Sequence, residues 1–362
     1  MLTKPTPRPP SGGGSLPNWF VYEGHGDGIV HESEDIQEFL DSIGTEGGGY
    51  AYFPPGVYTL EKTVFIPSNV HIIGCGRETV LQGWRPTGTN GFALISNKGI
   101  NTAPGYTGAE NFSMQNLTID TPRTNGITLV HCQNAYFGNI WGMDAFHHHF
   151  DIAGCRNLFF ENIWMVGRSG TSPFQIDGYT AGGYFNNNTW NGSTNVAPFH
   201  DLTENDGIHL SNSVIHTTNR VDFSVHFHRN GGKNIFIDNV QIANATRAFY
   251  TDPDCQRENV HISNIFIDNV DTVFQHNNSS NVRKGWFISN LRATNVSNGI
   301  TIEDTEDFSV NNISIPDSNL TNGVIVKNSA NGHLSAIRID ANVLVINDNS
   351  TGVYLAEENL LN

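Results

Sequence analysis

Residues 157–165 read NLFFENIWM, a strand-like apolar triplet, then Glu-Asn, then a second apolar triplet. The arrangement returns as NFSMQNLTI (111–119), NAYFGNIWG (134–142), NIFIDNVQI (234–242), NVHISNIFI (259–267), WFISNLRA (286–293) and DFSVNNISI (307–315). Aligned on the second Asn, the series runs Asn116, Asn139, Asn162, Asn188, Asn212, Asn239, Asn264, Asn290 and Asn312, at intervals of 22 to 27 residues. A period of that length governs the whole fold. Apolar residues two and four places before the Asn (Leu158 and Phe160, Ile235 and Ile237) alternate as in a half-buried strand. Asn tolerates a left-handed backbone and can hydrogen-bond along a stack of identical turns. Each copy therefore reads as one coil.

A third strand follows each Asn: ITLV (127–130), FDIA (150–153), FQID (174–177), FHDL (199–202), FSVH (223–226), FYTD (249–252), VFQH (273–276), ITIE (300–303) and VIVK (324–327). Three strands per coil predict a parallel β-helix, each coil burying its inward side chains against its neighbours. A β-propeller, with four strands and 40 or more residues per blade, is excluded by the period. The helix spacing of Ile36, Phe39, Leu40 and Ile43 in EDIQEFLDSI (34–43) predicts a cap over the first coil. The expected organisation is a flexible segment 1–18 and one domain 19–362, with the cap at 19–46 and coils over 47–355.

Composition agrees. The chain of 362 residues contains 37 Gly, 22 Phe and 15 Pro, which suits many short strands joined by turns. A net charge of −16 argues against nucleic acid as a partner. Cys75, Cys132, Cys155 and Cys255 form no C-x-x-C pair, so no zinc cage is expected, and Cys132 and Cys155 read as buried thiols stacked one repeat apart. The numbered chain shows no signal peptide or membrane-spanning stretch.

The segments GDG (26–28), GGG (47–49), FPPGVY (53–58) and NVHIIGCG (69–76) resemble the amino-terminal signature of the right-handed pectin-lyase-like β-helix superfamily. That resemblance implies an all-β, single-stranded parallel β-helix and leaves function open, because the same entry segment serves polygalacturonases, pectate lyases, alginate epimerases, glucanases and phage tailspikes.

In the four-residue strands the second and fourth positions are expected to face outward. They gather Asp151, Gln175, His200, Tyr250, Asp177, His226, Asp252, His276 and Glu303 on the middle coils. Coils stack ~4.8 Å apart, so such groups can share a proton or flank a sugar. His228 and Arg229 in HFHR (226–229) and Arg247 lie nearby, and Tyr179 and Trp190 in the Gly- and Asn-rich segment after Gly178 could form a groove wall. HHH (147–149) alternates sides and makes a poor metal site. DPD (252–254) could be a calcium turn only with a further acid in register.

Among enzymes of the superfamily the layout is most similar to polygalacturonase-type glycoside hydrolases. The resemblance implies catalytic roles for Asp177, Asp201 and His226, with Arg247 and Tyr250 in the place of the basic pair, although the Asp-Asp pair, Gly-His-Gly and Arg-x-Lys of that family are missing here; Asp252, on the outward row, is the further candidate catalytic carboxylate. The leading expectation is carboxylate acid/base hydrolysis of a polysaccharide or oligosaccharide without a cofactor. The alternatives are elimination or C5 epimerisation of a uronate, with calcium possible for a lyase, and a tailspike-like rod that only binds glycan. Such a role places the protein outside the cell or on its surface, and a trimer would suit a rod of this kind.

Overall fold

The computed structural model describes residues 18–84, 93–100, 105–121, 125–177, 189–190, 193–194, 203–228, 231–253, 255–277, 282–341 and 345–356. It is a parallel β-helix of about eleven turns. The helix Ser33–Thr45 buries Ile36, Leu40 and Ile43 on the first coil. It also covers a strand edge. The Gln37 side chain accepts from the Phe65 amide (2.7 Å) and donates to its carbonyl (2.9 Å), as a neighbouring strand would.

The Asn repeat does what its chemistry predicts. Asn116, Asn139, Asn162, Asn212, Asn239, Asn264, Asn290 and Asn312 all have φ between 51 and 59°. Their amides bond along the stack: Asn139 to Asn116 (2.9 Å), Asn162 to Asn139 (3.2 Å), Asn239 to Asn212 (2.8 Å), Asn290 to Asn264 (3.1 Å) and Asn312 to Asn290 (2.8 Å). Each rung turns the chain from one sheet to the next while satisfying its own amide.

Counting misplaces one coil. Strand Phe174–Asp177 pairs directly with residues 225–228, and strand Arg156–Met165 pairs directly with the strand that begins at Asp206. No coil stands between them in these pairings, and the rung after Asn162 is Asn212; FHDL (199–202) and Asn188, expected to belong to one, lie outside the described residues. The physical reason is simple. The step from Asn162 to Asn212 is 50 residues, two average repeats, so spacing cannot distinguish an extra coil from one coil with a long excursion.

Two strand frames also move. The third-sheet strand is VHFH (225–228) and not FSVH, because F-S-V-H-F-H alternates equally well in either frame and a bulge between His216 and Val221 absorbs the difference. One coil on, Phe249 pairs with Phe274, so Gln275, and not His276, stands beside Tyr250 on the outer face. The adjacent Val273 and Phe274, both buried, leave that frame undetermined in sequence.

Cys132 and Cys155 are buried thiols with their sulfurs 3.5 Å apart. One apolar core runs from Tyr22 to Ile337. A small second cluster of Val130, Ala153 and Ile100 covers the outer face of the third sheet's earlier strands. The groove therefore opens further along, from the coil of Gln175 onward.

Candidate functional site

The corrected registers bring two outward rows together. The first runs Asp151, Gln175, His226, Tyr250, Gln275; the second begins at Asp177 and His228. Along them lies a chain of polar contacts. Asp151 accepts from Asn125 Nδ2 and from Gln175 Nε2, both at 3.3 Å. A carboxylate only accepts, so this contact fixes the Gln175 amide with Oε1 toward His226 Nδ1, 3.0 Å away. Nδ1 must then carry the hydrogen, which leaves Nε2 as the basic atom, 3.0 Å from Asp252 Oδ1.

A parallel arm comes from the next residue row. Asp177 Oδ2 accepts from His228 Nδ1 at 3.2 Å, and His228 Nε2 lies 3.3 Å from Asp252 Oδ2. Two imidazole nitrogens thus converge on one carboxylate. With Nδ1 of each ring turned to its own acceptor, each Nε2 faces one oxygen of Asp252, and a proton taken up by either ring completes a hydrogen bond to that carboxylate.

Exposure separates the roles. Asp177 has an outward strand position but is 0% exposed, and Asp151 and Gln175 are also buried. These three orient other side chains instead of reaching into the groove. The surface is presented by Asp252, His228 and His226, whose side chains are 19%, 25% and 9% exposed. Tyr250 and Arg247 are half-buried beside them. Burial pulls the His226 pKa below the usual imidazole value, against the opposing effect of Asp252. Burial and then Asp252 push the Tyr250 phenol up. The two groups, in register on adjacent coils with ring centroids 5.5 Å apart, are a neutral imidazole and a protonated phenol at neutral pH.

Arg247 stands over the Tyr250 ring at 5.1 Å and donates from Nε to Gln275 Oε1 at 2.7 Å. Gln275 in turn donates to Asn277 Oδ1 (2.9 Å), and the Asn277 amide reaches the Tyr250 hydroxyl. Phe223 stacks on Tyr250 (4.2 Å, 13°), and the Arg247 guanidinium lies 5.5 Å from the Phe223 ring as well.

Several expected residues go elsewhere. His276 is 1% exposed and faces the core, edge-on to Trp286, with Nδ1 3.1 Å from Thr305 Oγ1; the one-residue frame shift turned it inward. Glu303 stands near the far end of the sheet opposite Lys327, its pKa raised mainly by burial. Asp201, His200, Arg229 and Tyr179 lie outside the described residues, and Trp190 is described only as part of a two-residue strand, Thr189–Trp190. In HHH, His149 is buried against the Met143 carbonyl (2.7 Å), His148 meets Ser172 and His147 is exposed. Among the described residues no group of three or more His, Cys, Asp or Glu could hold a metal ion.

Sequence reading missed two buried arginines. Arg257 donates to the carbonyls of Ile176 (2.6 Å), Gly231 (2.8 Å) and His228 (3.1 Å). Arg283, one coil on, donates to those of Asn277 (2.8 Å), Glu303 (2.9 Å) and Asp252 (3.2 Å). Together they clamp the strand ends that carry Asp177, His228 and Asp252. Their 26-residue spacing, each at the start of a repeat, was the available signal.

A family profile described as rhamnogalacturonase A/epimerase, pectate lyase-like, matches residues 22–219. Mannuronan C5-epimerase AlgE1 of Azotobacter vinelandii is 34% identical over 111 residues, covering 28% of this chain and 7% of the epimerase. The match thus spans a small part of that relative's length. The solved structure of the surface protein and adhesin PfbA of Streptococcus pneumoniae aligns with a TM-score of 0.69 at 15% identity, over 93% of this chain and 98% of that one. A tailspike of E. coli bacteriophage HK620, solved with a pentasaccharide, aligns with a TM-score of 0.59 at 10% identity, over 97% and 65% of the two chains. At these identities the two structures share the fold.

Proposed function

Because the chain belongs to the rhamnogalacturonase A/epimerase, pectate lyase-like family, we propose that it is a polysaccharide-modifying enzyme that eliminates at a uronate held across the coils of His226 and Tyr250. A carbohydrate partner fits this fold, which the HK620 tailspike uses with a pentasaccharide bound. In the proposed step His226 Nε2 takes the proton from the ring carbon beside the uronate carboxyl. The C–H electron pair becomes a C4=C5 double bond, the C4–O bond breaks, and the Tyr250 hydroxyl protonates the departing oxygen. Arg247, on the same face, neutralises the uronate carboxylate and so stabilises the charge that develops on it. Asp177, through His228, and Asp151, through Gln175, hold the two imidazoles in one tautomer.

The observation that carries this reading is geometric: the His226 imidazole and the Tyr250 phenol stand in register on adjacent coils with ring centroids 5.5 Å apart, and burial favours the neutral form of each. Both project from one face of the sheet, which suits elimination with base and acid on the same side of the ring. Epimerisation would need a second donor across the sugar. Hydrolysis is the second reading, favoured by one distance. Contacts of 3.2 and 3.3 Å on either side of the His228 ring put the contacting oxygens of Asp177 and Asp252 at most about 9 Å apart, a bound compatible with the ~6.5–9.5 Å of inverting glycosidases. Complete burial of Asp177 weighs against it.

The test is digestion of uronate and neutral glycans, with calcium or with chelator, read by ultraviolet absorbance and by reducing ends. Absorbance from an unsaturated uronate supports elimination. New reducing ends without absorbance support hydrolysis, and deuterium uptake at C5 with neither signal would mean epimerisation. Loss of activity in chelator would transfer the carboxylate-neutralising role from Arg247 to calcium. Action on such polymers goes with a secreted or surface location.

A further inference from the structure

Val130 pairs with Ala153 and Gln133 with Arg156, so Cys132 and Cys155, which lie between those pairs, stand in register on adjacent coils. Both are completely buried in the main core, and their sulfurs are 3.5 Å apart. Adjacent coils stack ~4.8 Å apart, inside the ~4.4–6.8 Å that the Cα atoms of a bridged pair span. The backbone is therefore already placed for a bridge. Only the sulfurs have to approach, by ~1.5 Å in sum, to reach the ~2.05 Å of an S–S bond.

Loss of the thiol hydrogens strands no polar group. Cys155 Sγ donates to the Ala153 carbonyl at 3.3 Å, and that carbonyl also accepts from the His131 amide at 3.1 Å, so it keeps a partner once the thiol is gone. The other two cysteines sit apart: Cys75 is exposed beside Thr79 Oγ1 (3.1 Å), and Cys255 is buried with its amide on the Asp252 carbonyl (3.1 Å). The pair is close to the candidate site. The Cys155 amide donates to Asn205 Oδ1 at 2.9 Å, and Asn205 Nδ2 donates to the Asp177 carbonyl.

We propose that Cys132 and Cys155 form an oxidation site: they close into an intercoil disulfide when the chain folds in the presence of a disulfide oxidant, and remain a thiol pair when it folds without one. This covalent state is independent of the reaction assigned to the groove. In the first step one cysteine thiolate attacks the oxidant's S–S bond, giving a mixed disulfide and one released thiol. The second thiolate then displaces the other half, so the protein loses two electrons and two protons and the oxidant leaves as two thiols. Exchange precedes closure of the coils, because burial withholds both sulfurs from reagent and pushes the Cys132 thiol up. An oxidising compartment, which a secreted or surface location supplies, would fix the bridged form.

The test is refolding of the full chain from urea and dithiothreitol, either into mixed oxidised and reduced glutathione or into reduced glutathione alone. Each sample is then unfolded in an alkylating agent and mapped as peptides without reduction. The first is expected to yield a peptide pair joined through Cys132 and Cys155, and the second all four cysteines alkylated. The bond closes a loop between residues 23 apart in the unfolded chain, so the bridged sample should have an unfolding constant on the order of a hundredfold smaller, read as a higher urea midpoint. Cys155→Ala should unfold at one midpoint in both buffers; if that variant does not fold, the two samples of the parent chain decide alone. Free thiols at both positions after oxidative refolding overturn the proposal, as does a bridge that recruits Cys75 or Cys255. A bridged sample whose midpoint is no higher than that of the thiol form also overturns it, because the coils would then have to distort to close the bond.

Discussion

Asp177→Asn isolates a group that acts on the chemistry only through another side chain. Asp177 is fully buried, accepts from His228 Nδ1 at 3.2 Å, and has no hydrogen-bond partner for its second oxygen among the described residues. An Asn of the same shape removes the charge and can present an N–H to the ring, which reverses the tautomer and puts a hydrogen on Nε2 facing Asp252. His228 then donates to Asp252 and ties up the carboxylate that faces the His226 base. A hydrogen bond to a charged group contributes about 1.5–3 kcal/mol, so turnover is expected to fall about 10- to 150-fold. Stability should stay within about 1 kcal/mol, because the volume is unchanged and the lost carboxylate was only half satisfied. Initial rates on the active glycan, paired with urea unfolding of the same preparation, separate the two effects. A rate within twofold of the parent refutes the positioning role. A parallel collapse of the unfolding midpoint refutes the assignment of Asp177 to chemistry over structure.

Other outcomes follow from the same geometry. Asn290 occupies a left-handed turn (φ 53°) and bonds to both Asn264 and Asn312, so Asn290→Ala should cost about 1–2 kcal/mol in urea unfolding, with Asn290→Gly recovering the conformational part. Arg257→Lys cannot span three carbonyls with one ammonium and should cost about 3 kcal/mol while also depressing turnover, because the His228 strand end loosens. In the pH profile of the rate, the acid limb should lie below the ordinary imidazole value because burial depresses His226, and the alkaline limb above the ordinary phenol value because burial raises Tyr250. Stability has its own acid limb. His149 is held neutral by burial, with its pKa drawn from 6.5 to about 4, so the unfolded chain protonates first as pH falls. Stability should be level above 6.5 and decline between 6.5 and 4, by on the order of 3 kcal/mol from His149, followed as unfolding midpoint against pH.

Local chemistry written once per coil was legible in the sequence. Asn in the left-handed region, apolar residues alternating before it and the helix that closes the first coil need only near neighbours to specify them, and their repetition from coil to coil is enough to give a β-helix. The clustering of Asp177, His226, Asp252 and Tyr250 was also legible, since an outward row follows from a period-2 alternation. What only the tertiary structure decided was register. Spacing near two repeats concealed that Asn162 and Asn212 stand on adjacent coils, and adjacent apolar residues at Val273 and Phe274 concealed which way His276 points. A slip of one residue exchanges core for surface, because alternation has period two. Burial was equally non-local: Asp177 stands at an outward position and is still closed off from solvent. Arg257 and Arg283 complete the lesson, for a charged side chain that ends inside a solenoid is recognisable only when the carbonyls it holds, up to 81 residues away, come into view.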